Sequence, residues 1–483
     1  MYLGLDIGTS SVKAVLMNDR QRIVASRSVA LEVERPHPGW SEQDPDSWWT
    51  ACESLFDALA ADHGKELSAV KGIGLSGHMH GATLLDQADR PLRPCILWND
   101  GRSSKEAAEL TPASRLITGN LAMPGFTAPK LLWVKRHEPA IFARIRTVLL
   151  PKDYVRLTLT GGKASDMSDA AGTLWLETEK RAWSDDMLRL TSLDRSYMPE
   201  LFEGSAPTGK LRKTHALRWG MSPDVVVAGG GGDNAASACG VGAVAPGTGF
   251  ISIGTSGVIF VTSNGYSANP AGAVHAFCHA VPGTWHQMGV ALSAAGSLEW
   301  WAQVLGSEAG AIVAELGETP TGPSSARFLP YLSGERTPHN DVSVRGLFAG
   351  LDQGHERKDL TQAVLEGVAF SFRDCLDVLT MPLAPPRRLL AVGGGSRSRY
   401  WLSVIATVLE LPISVPADGD FGAAFGAARL GLVAAESADP FAVCTPPSIR
   451  DTVEPIPSLV GEYRAAHAAY RKLYPAIKEA IPQ

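Results

Sequence analysis

The tetrapeptide Ile-Gly-Thr-Ser occurs twice in this chain, at residues 7–10 and 253–256. Each copy stands between two apolar, β-prone runs, "YLGLD" and "SVKAVLM" in the first case, "GFIS" and "GVIFVT" in the second. A glycine and two hydroxyl residues between such runs read as the tight turn of a β-hairpin. A chain that builds this hairpin twice is constrained to two related domains. The copies differ at the strand end, where the first carries Asp6 and the second Ser252. Two similar scaffolds with one acidic copy predict unequal contributions to a single site.

With 483 residues the chain is too long for one hydrophobic core. Strands precede and follow a helix in the first half, which is an α/β pattern. In "SEQDPDSWWTACESLFDALAADHG" Asp44 reads as the N-cap and Pro45 as the first helical residue. Trp48, Cys52, Leu55, Phe56 and Leu59 form the buried stripe, and Gly64 is expected to close the helix. The same order of strands and then a helix, "SAAGSLEWWAQVLG", recurs after Gly230. The paired Trp300 and Trp301 on that helix read as core and interface. Near the end, Tyr463, Ala466, His467, Tyr470, Leu473, Tyr474 and Ile477 make one stripe, predicting a single closing helix. The glycine-rich "CGVGAVAPGTG" at 239–249 places the boundary, giving an N-terminal domain at 1–243 and a C-terminal one at 244–483.

A net charge of -6 offers no surface for a phosphate backbone, so no nucleic-acid partner is expected. No stretch is apolar enough to cross a bilayer, and the first residues lack the basic segment and cleavage site of a signal peptide. The six cysteines are scattered without framework spacing, as free thiols in a reducing cytoplasm would be.

"GIGLSG" at 72–77 matches the dinucleotide fingerprint, but the strand signal "GATLLD" follows it where a helix should open, so a dehydrogenase is not expected. The chain contains no P-loop sequence. His78 and His80, and His275 with Cys278 and His279, lack the further ligands and spacing of a zinc site. Two other glycine clusters have better context. "VVVAGGGGDNAASACG" and "LLAVGGGSRSRYW" each run from a buried strand through glycines into a helix, where bare amides favour an anion. Either cluster alone also reads as a sharp turn that holds nothing. Beside two Gly-Thr-Ser hairpins they point to phosphate. Gly8, Thr9 and Ser10 would offer amides and hydroxyls to phosphate oxygens, with Asp6 holding a hydrated magnesium.

"DIGTSSVK", "HMHGATLLD", "ILWNDGRS", "NLAMPGFTAPKLLWVKRHEP", "LPKDYVRL", "SDMSDAAGT", "GGGGDNAA", "IGTSG", "FLPYLSGERTPHN" and "VGGGSRSRYW" together resemble, in order and spacing, the FGGY family of carbohydrate kinases. The resemblance covers nearly the whole chain and weakens in the C-terminal segment. It implies an α/β fold of two ribonuclease-H-like, actin-like ATPase domains around a central cleft. The implied reaction moves the γ-phosphate of ATP, with Mg2+, to the terminal hydroxyl of a ketopentose. Ribulose, gluconate or glycerol are the acceptors of neighbouring members, and an actin-like nucleotide switch is the alternative that shares the fold.

Carried over by position, the resemblance makes Asp233 the catalytic base, with Asn234 beside it at the sugar and Asp6 and Asp233 as magnesium ligands. Met79 and His80 fall where the sugar is contacted, and Trp98, Asn99, Asp100 and Arg102 line the same pocket. Gly8, Thr9 and Ser10 with Gly254 and Thr255 meet the phosphates, and Gly394 and Gly395 approach the nucleotide. Ser11 replaces a glycine common in the family's first hairpin, and the run before Asp233 carries one extra glycine. At a helix start Asp233 also reads as an N-cap, and the helix end is expected to keep it ionised. On this reading the sugar lies mostly on the N-terminal side and ATP on the other. The partners are then small molecules, with the choice between monomer and homodimer open.

Overall fold

The computed structural model of the chain describes residues 1–380, 386–417 and 422–480, so the last three residues of the expected C-terminal domain lie outside it. Two sheets form the frame. The first contains β1 (Tyr2–Ile7), β2 (Ser11–Met17), β3 (Ile23–Ala30), β4 (Gly72–Gly77), β5 (Pro207–Lys210) and β6 (Val226–Ala228), in the spatial order β5-β6-β4-β1-β2-β3. Pro207 opens an edge strand, where a missing N–H costs no ladder bond. The second sheet contains β7 (Gly249–Ile253), β8 (Gly257–Ser263), β9 (His275–Cys278), β10 (Trp285–Ala291), β11 (Leu389–Val392), β12 (Ile413–Pro416) and β13 (Ile449–Val453), ordered β9-β10-β8-β7-β11-β12-β13.

The repeated tetrapeptide explains the likeness of the two sheets. In each, the strand entering the hairpin is antiparallel to the strand leaving it and parallel to a later strand, β4 in the first sheet and β11 in the second.

The helices used below are α1 (Pro45–Ser68), α2 (Thr127–His137), α3 (Pro151–Thr160), α4 (Asp233–Val241), α5 (Ala295–Val304), α6 (Arg357–Thr380), α7 (Arg399–Leu409), α8 (Ala423–Glu436), α9 (Pro457–Tyr470) and α10 (Leu473–Ala480). The Asp44 carboxylate accepts from the Asp46 amide at 3.0 Å and caps α1, whose buried face carries the five residues expected from spacing. Gly64 does not end this helix. The backbone leaves helical geometry at His63 and recovers for one more turn, because Leu67 beyond it belongs to the core. The C-terminal stripe likewise belongs to two helices. Pro475 would clash with the carbonyl four residues earlier, so the chain breaks between Tyr470 and Leu473 and restarts with the proline in the first turn of α10. On α5, Trp301 is buried and donates from Nε1 to Thr361 at 3.1 Å, while Trp300 stacks on Phe328.

α8 lies late in the chain yet packs on the first sheet, against β1 and β4. Its small residues let backbones meet. A Cβ on Gly74 would stand 1.8 Å from the Ala427 carbonyl oxygen, and one on Gly426 would stand 1.7 Å from that of Ala236 in α4. Arg429 of α8 donates through Nη1 to the carbonyls of Cys239 and Gly240 at the end of α4, and to that of Thr445. A cation there complements the negative end of the α4 dipole. All six cysteines are buried free thiols. No helix among the described residues is long and apolar enough to cross a membrane.

Candidate active site

Strand register brings the acidic residues together. Asp6 of β1 and Gly231 both lie opposite Ser76 of β4, and Ile7 and Gly232 both lie opposite Gly77. Asp233 follows at once as the first residue of α4. Gly232, not Asp233, is the N-cap, and the Asp233 carboxylate accepts from the Asn234 amide at 2.7 Å and from its side chain at 3.0 Å.

Burial, and then the negative charge of Asp6, push Asp233 up to about 6. Desolvation and a like charge thus outweigh the helix end, which favours the ionised form. Asp6 is itself raised, first by burial. Its Oδ1 is buried with no hydrogen-bond partner among the described residues. An orphaned carboxylate oxygen beside a second carboxylate fits a hard cation with oxygen ligands, as magnesium is.

The sugar side is built on the turn after β4. His78 donates its amide to Ile7 at 2.9 Å, which holds the turn to the first strand. Met79 is buried and packs on the residue before Asp233, where a Cβ on Gly232 would lie 2.8 Å from Met79 Cγ. His80 takes a left-handed backbone, φ 71°, and its Nδ1 lies 2.6 Å from the Gly172 carbonyl oxygen. A carbonyl only accepts, so Nδ1 carries the proton. Burial pushes His80 down to about 3, so the ring is neutral and Nε2 is a bare acceptor. The ring sits 4.4 Å from Phe126 and 6.3 Å from Phe277 of β9, centroid to centroid. The Arg336 guanidinium also reaches the field of His80. The pocket therefore draws on both halves of the chain, more than the sequence reading allowed. Asn120 ties the halves beside it, accepting from the Ala276 amide and donating to its carbonyl, each at 2.9 Å.

Within "WNDGR" the residues divide. Trp98 and Asn99 are exposed, and Trp98 Nε1 donates to Thr9 Oγ1 at 3.0 Å. Asp100 and Arg102 are spent on each other. Asp100 Oδ2 accepts from the Ser41 amide at 2.6 Å and from Arg102 Nη2 at 2.7 Å, while Arg102 Nη1 lies 2.6 Å from Glu42. The guanidinium carbon stands 3.5 Å from the Trp40 ring centroid, and the side chain is 1% exposed. These two residues brace the loop that carries Trp98 and Asn99.

On the other side, the Gly8 amide closes its turn on the Ser11 carbonyl at 3.0 Å, leaving Thr9 and Ser10 at the tip. The carbonyls of Gly254 and Thr255 accept from Ala295 at 2.7 Å and Ala294 at 2.8 Å, so the second hairpin is seated on the start of α5 with the Thr255 side chain exposed. Gly393, with φ 89°, passes close to the Ile253 carbonyl, and Gly395 is pressed on the Ile253 side chain. Gly394 alone of the three has open space around it. A cavity of about 540 Å³ opens beside it, lined by Ser237 and Val241 of α4, Phe250, Gly393, Arg397 and Arg450. Arg397 stood unassigned inside a quoted motif. Arg450 lies in β13, a strand whose sequence carried no signal.

Beneath Asp233 lies a charged network that sequence reading did not assign. Lys152 of α3 meets Asp153 at 2.5 Å, Asp166 at 2.8 Å and Asp169 at 3.4 Å, with no exposure of any of the four side chains. Ser168 donates to Asp166 at 2.5 Å and accepts from the Gly232 amide at 3.1 Å, so the network ends on the peptide preceding Asp233.

Comparison with known proteins bears on what this arrangement does. Residues 1–240 match the N-terminal domain, and residues 249–435 the C-terminal domain, of the FGGY family of carbohydrate kinases. The chain is 48% identical over 483 residues to a xylulose kinase of Klebsiella pneumoniae, covering 99% of each chain. It is 51% identical over 439 residues to a xylulose kinase of Escherichia coli K12, covering 90% of each. Among solved structures it resembles a xyloylose kinase from Brucella ovis, with a TM-score of 0.98, 58% identity, and coverage of 99% of this chain and 100% of that one. The shared architecture is the actin-like ATPase fold.

Proposed function

Because the chain belongs to the FGGY family of carbohydrate kinases, we propose that it transfers the γ-phosphate of ATP to the terminal hydroxyl of xylulose, yielding xylulose 5-phosphate. The observation that carries the reaction is the placement of Asp233, which directly follows Gly232, packed on Met79, and feels the negative charge of Asp6.

Phosphoryl transfer passes through a loose transition state, so alignment and charge neutralisation matter more than a strong base. Asp233, at about 6, is ionised at neutral pH and weak enough to take the hydroxyl proton late. Met79 and the Nε2 of His80 hold the sugar so that this hydroxyl faces Asp233, and Trp98 and Asn99 border the pocket. Asp6 and Asp233 would hold magnesium, which supplies neutralisation of the phosphate oxygens. The amides and hydroxyls of Gly8, Thr9 and Ser10, with Gly254 and Thr255, bind the phosphates. Gly394 admits the nucleotide to the cavity beside it. Both substrates are small molecules, and six buried free thiols fit a reducing cytoplasm.

ADP release measured across xylulose, ribulose, gluconate and glycerol tests the assignment. Xylulose is expected to give the highest kcat/KM. A higher value for another acceptor would overturn the choice of sugar, and no sugar-dependent release at all would overturn the kinase.

A further inference from the structure

Two side chains at the start of α2 spend their donors on one backbone oxygen. Thr127 Oγ1 lies 3.1 Å and Lys130 Nζ 2.8 Å from the carbonyl oxygen of His80. Both residues are wholly buried. That carbonyl is the only hydrogen-bond partner of the ammonium among the described residues. Cys95, Asp100, Arg102, His78 and His80 are the titratable groups within its field, and the Asp100 carboxylate is already engaged by Ser41 and Arg102. Burial accordingly pushes the Lys130 amine down to about 7.

A buried amine with one neutral acceptor is an expensive way to fill a core. What it holds is unusual in return. His80 is a non-glycine residue in left-handed geometry, a strained conformation that lasts only when its surroundings over-determine it. The surroundings do so from two sides. The carbonyl is pinned by α2, and the ring is pinned by the Gly172 carbonyl, where a Cβ would stand 2.7 Å from the imidazole. The Ala128 amide, bonded to the Thr173 carbonyl at 3.0 Å, joins these two supports to each other.

We propose that Lys130 is a positioning residue for sugar recognition: by holding the His80 carbonyl it keeps the imidazole on Gly172, so that Nε2 meets the substrate as a hydrogen-bond acceptor. This rests on the reading of His80 as a sugar contact. It also names the chemistry of the partner group, because a neutral ring protonated at Nδ1 can only accept at Nε2. The sugar must present a hydroxyl there, and a carbonyl or carboxylate oxygen at that point is refused.

The test compares Lys130→Met, Thr127→Val, His80→Ala and the Lys130→Met/His80→Ala double variant by initial rates over xylulose and ATP. Lys130→Met is expected to raise the xylulose KM about tenfold, with the ATP KM and kcat within about twofold of the parent. Thr127→Val should move the same constant in the same direction by less. In the double variant the xylulose KM should not exceed that of His80→Ala alone. If His80→Ala raises the xylulose KM while Lys130→Met leaves it at the parent value, or the two effects multiply, Lys130 does not act through His80 and the proposal fails alone. If His80→Ala leaves the xylulose KM unchanged, the reading of His80 fails and the proposal with it. Should Lys130→Met not fold, Thr127→Val decides, and an unchanged xylulose KM in that variant overturns the proposal.

Discussion

Trp98 donates its indole N–H to the hydroxyl oxygen of Thr9 at 3.0 Å, joining the loop beside the sugar pocket to the tip of the first hairpin. The hydroxyl accepts from the indole, so its own proton is left to be donated outward, where a phosphate oxygen would lie. Trp98→Phe and Thr9→Val should therefore each raise the ATP KM, by about threefold to tenfold for a lost hydrogen bond. Combined, they should raise it by less than the product. Full multiplication of the two effects in initial-rate measurements would show that the pair does not act as a unit.

Asp233→Ala should leave a folded protein that binds both substrates and turns over about 100-fold to 10,000-fold more slowly, the usual loss for a positioned general base. Calorimetric titration of xylulose and nucleotide into the variant separates binding from chemistry. Turnover near the parent value would remove Asp233 from the role of base.

The two hairpins should be alike in shape and unlike in chemistry. Asp6→Asn removes a carboxylate whose Oδ1 has no hydrogen-bond partner among the described residues, and it should raise the magnesium concentration needed for half-maximal rate several-fold, roughly as expected when one of few charged ligands is neutralised. Ser252→Ala should change that requirement little. Equal shifts in both variants would contradict the division.

Glu366 of α6 is buried beneath α9, accepting from both the Ser324 amide and the Tyr463 hydroxyl. Burial raises it from the usual 4.5 to about 7. The folded chain thus binds a proton more tightly here than the unfolded chain does. The stability this confers is fully present below pH 4.5 and is lost as pH rises through about 7. Glu366→Gln should gain stability relative to the parent over that interval, measured by urea denaturation at pH 5 and pH 8. A constant difference between the two proteins would mean that Glu366 does not titrate in this range.

Gly74→Ala or Gly426→Ala would drive a methyl group into a backbone carbonyl across the seat of α8. Overpacking of this kind costs about 1–3 kcal/mol or more. Because Gly426 touches α4, which begins with Asp233, its variant should lose turnover as well as stability. A destabilised Gly426→Ala with undiminished kcat at 25 °C would show that α8 does not set the position of Asp233.

What could be read in the sequence was local in character. The hairpins around Gly8 and Gly254, the cap at Asp44 and the strand-to-helix turns at Gly232 and Gly393 each declare themselves within a few residues. The raised proton affinity of Asp233 could not be read, since it depends on Asp6 lying two strands away through the register at Ser76. Asp100 and Arg102 stand two residues apart like a pair of ligands, and only the fold shows them turned to Ser41 and Glu42. Lys130 lay in a recognised motif without a task until the chain placed the His80 carbonyl above it. The break before Leu473 was signalled by Pro475, but the stripe running through it suggested continuity. α8 gave the least warning, because a face made of glycine and alanine carries no apolar periodicity to say which sheet it will cover.

The seat of α8 on β1 and β4 has a consequence for biosynthesis. Residues 2–7 are synthesised long before the helix that lies across them, which is some four hundred residues further along the chain. Until residues 423–436 have been translated, the first sheet lacks the helix that packs on β1 and β4. Contacts of such separation are slow to form and leave sticky surface exposed in the meantime. The nascent chain should therefore engage chaperones until α8 has been made and acquire protease resistance only after residue 436 has emerged. Arrested translation products ending before and after α8 would show the change.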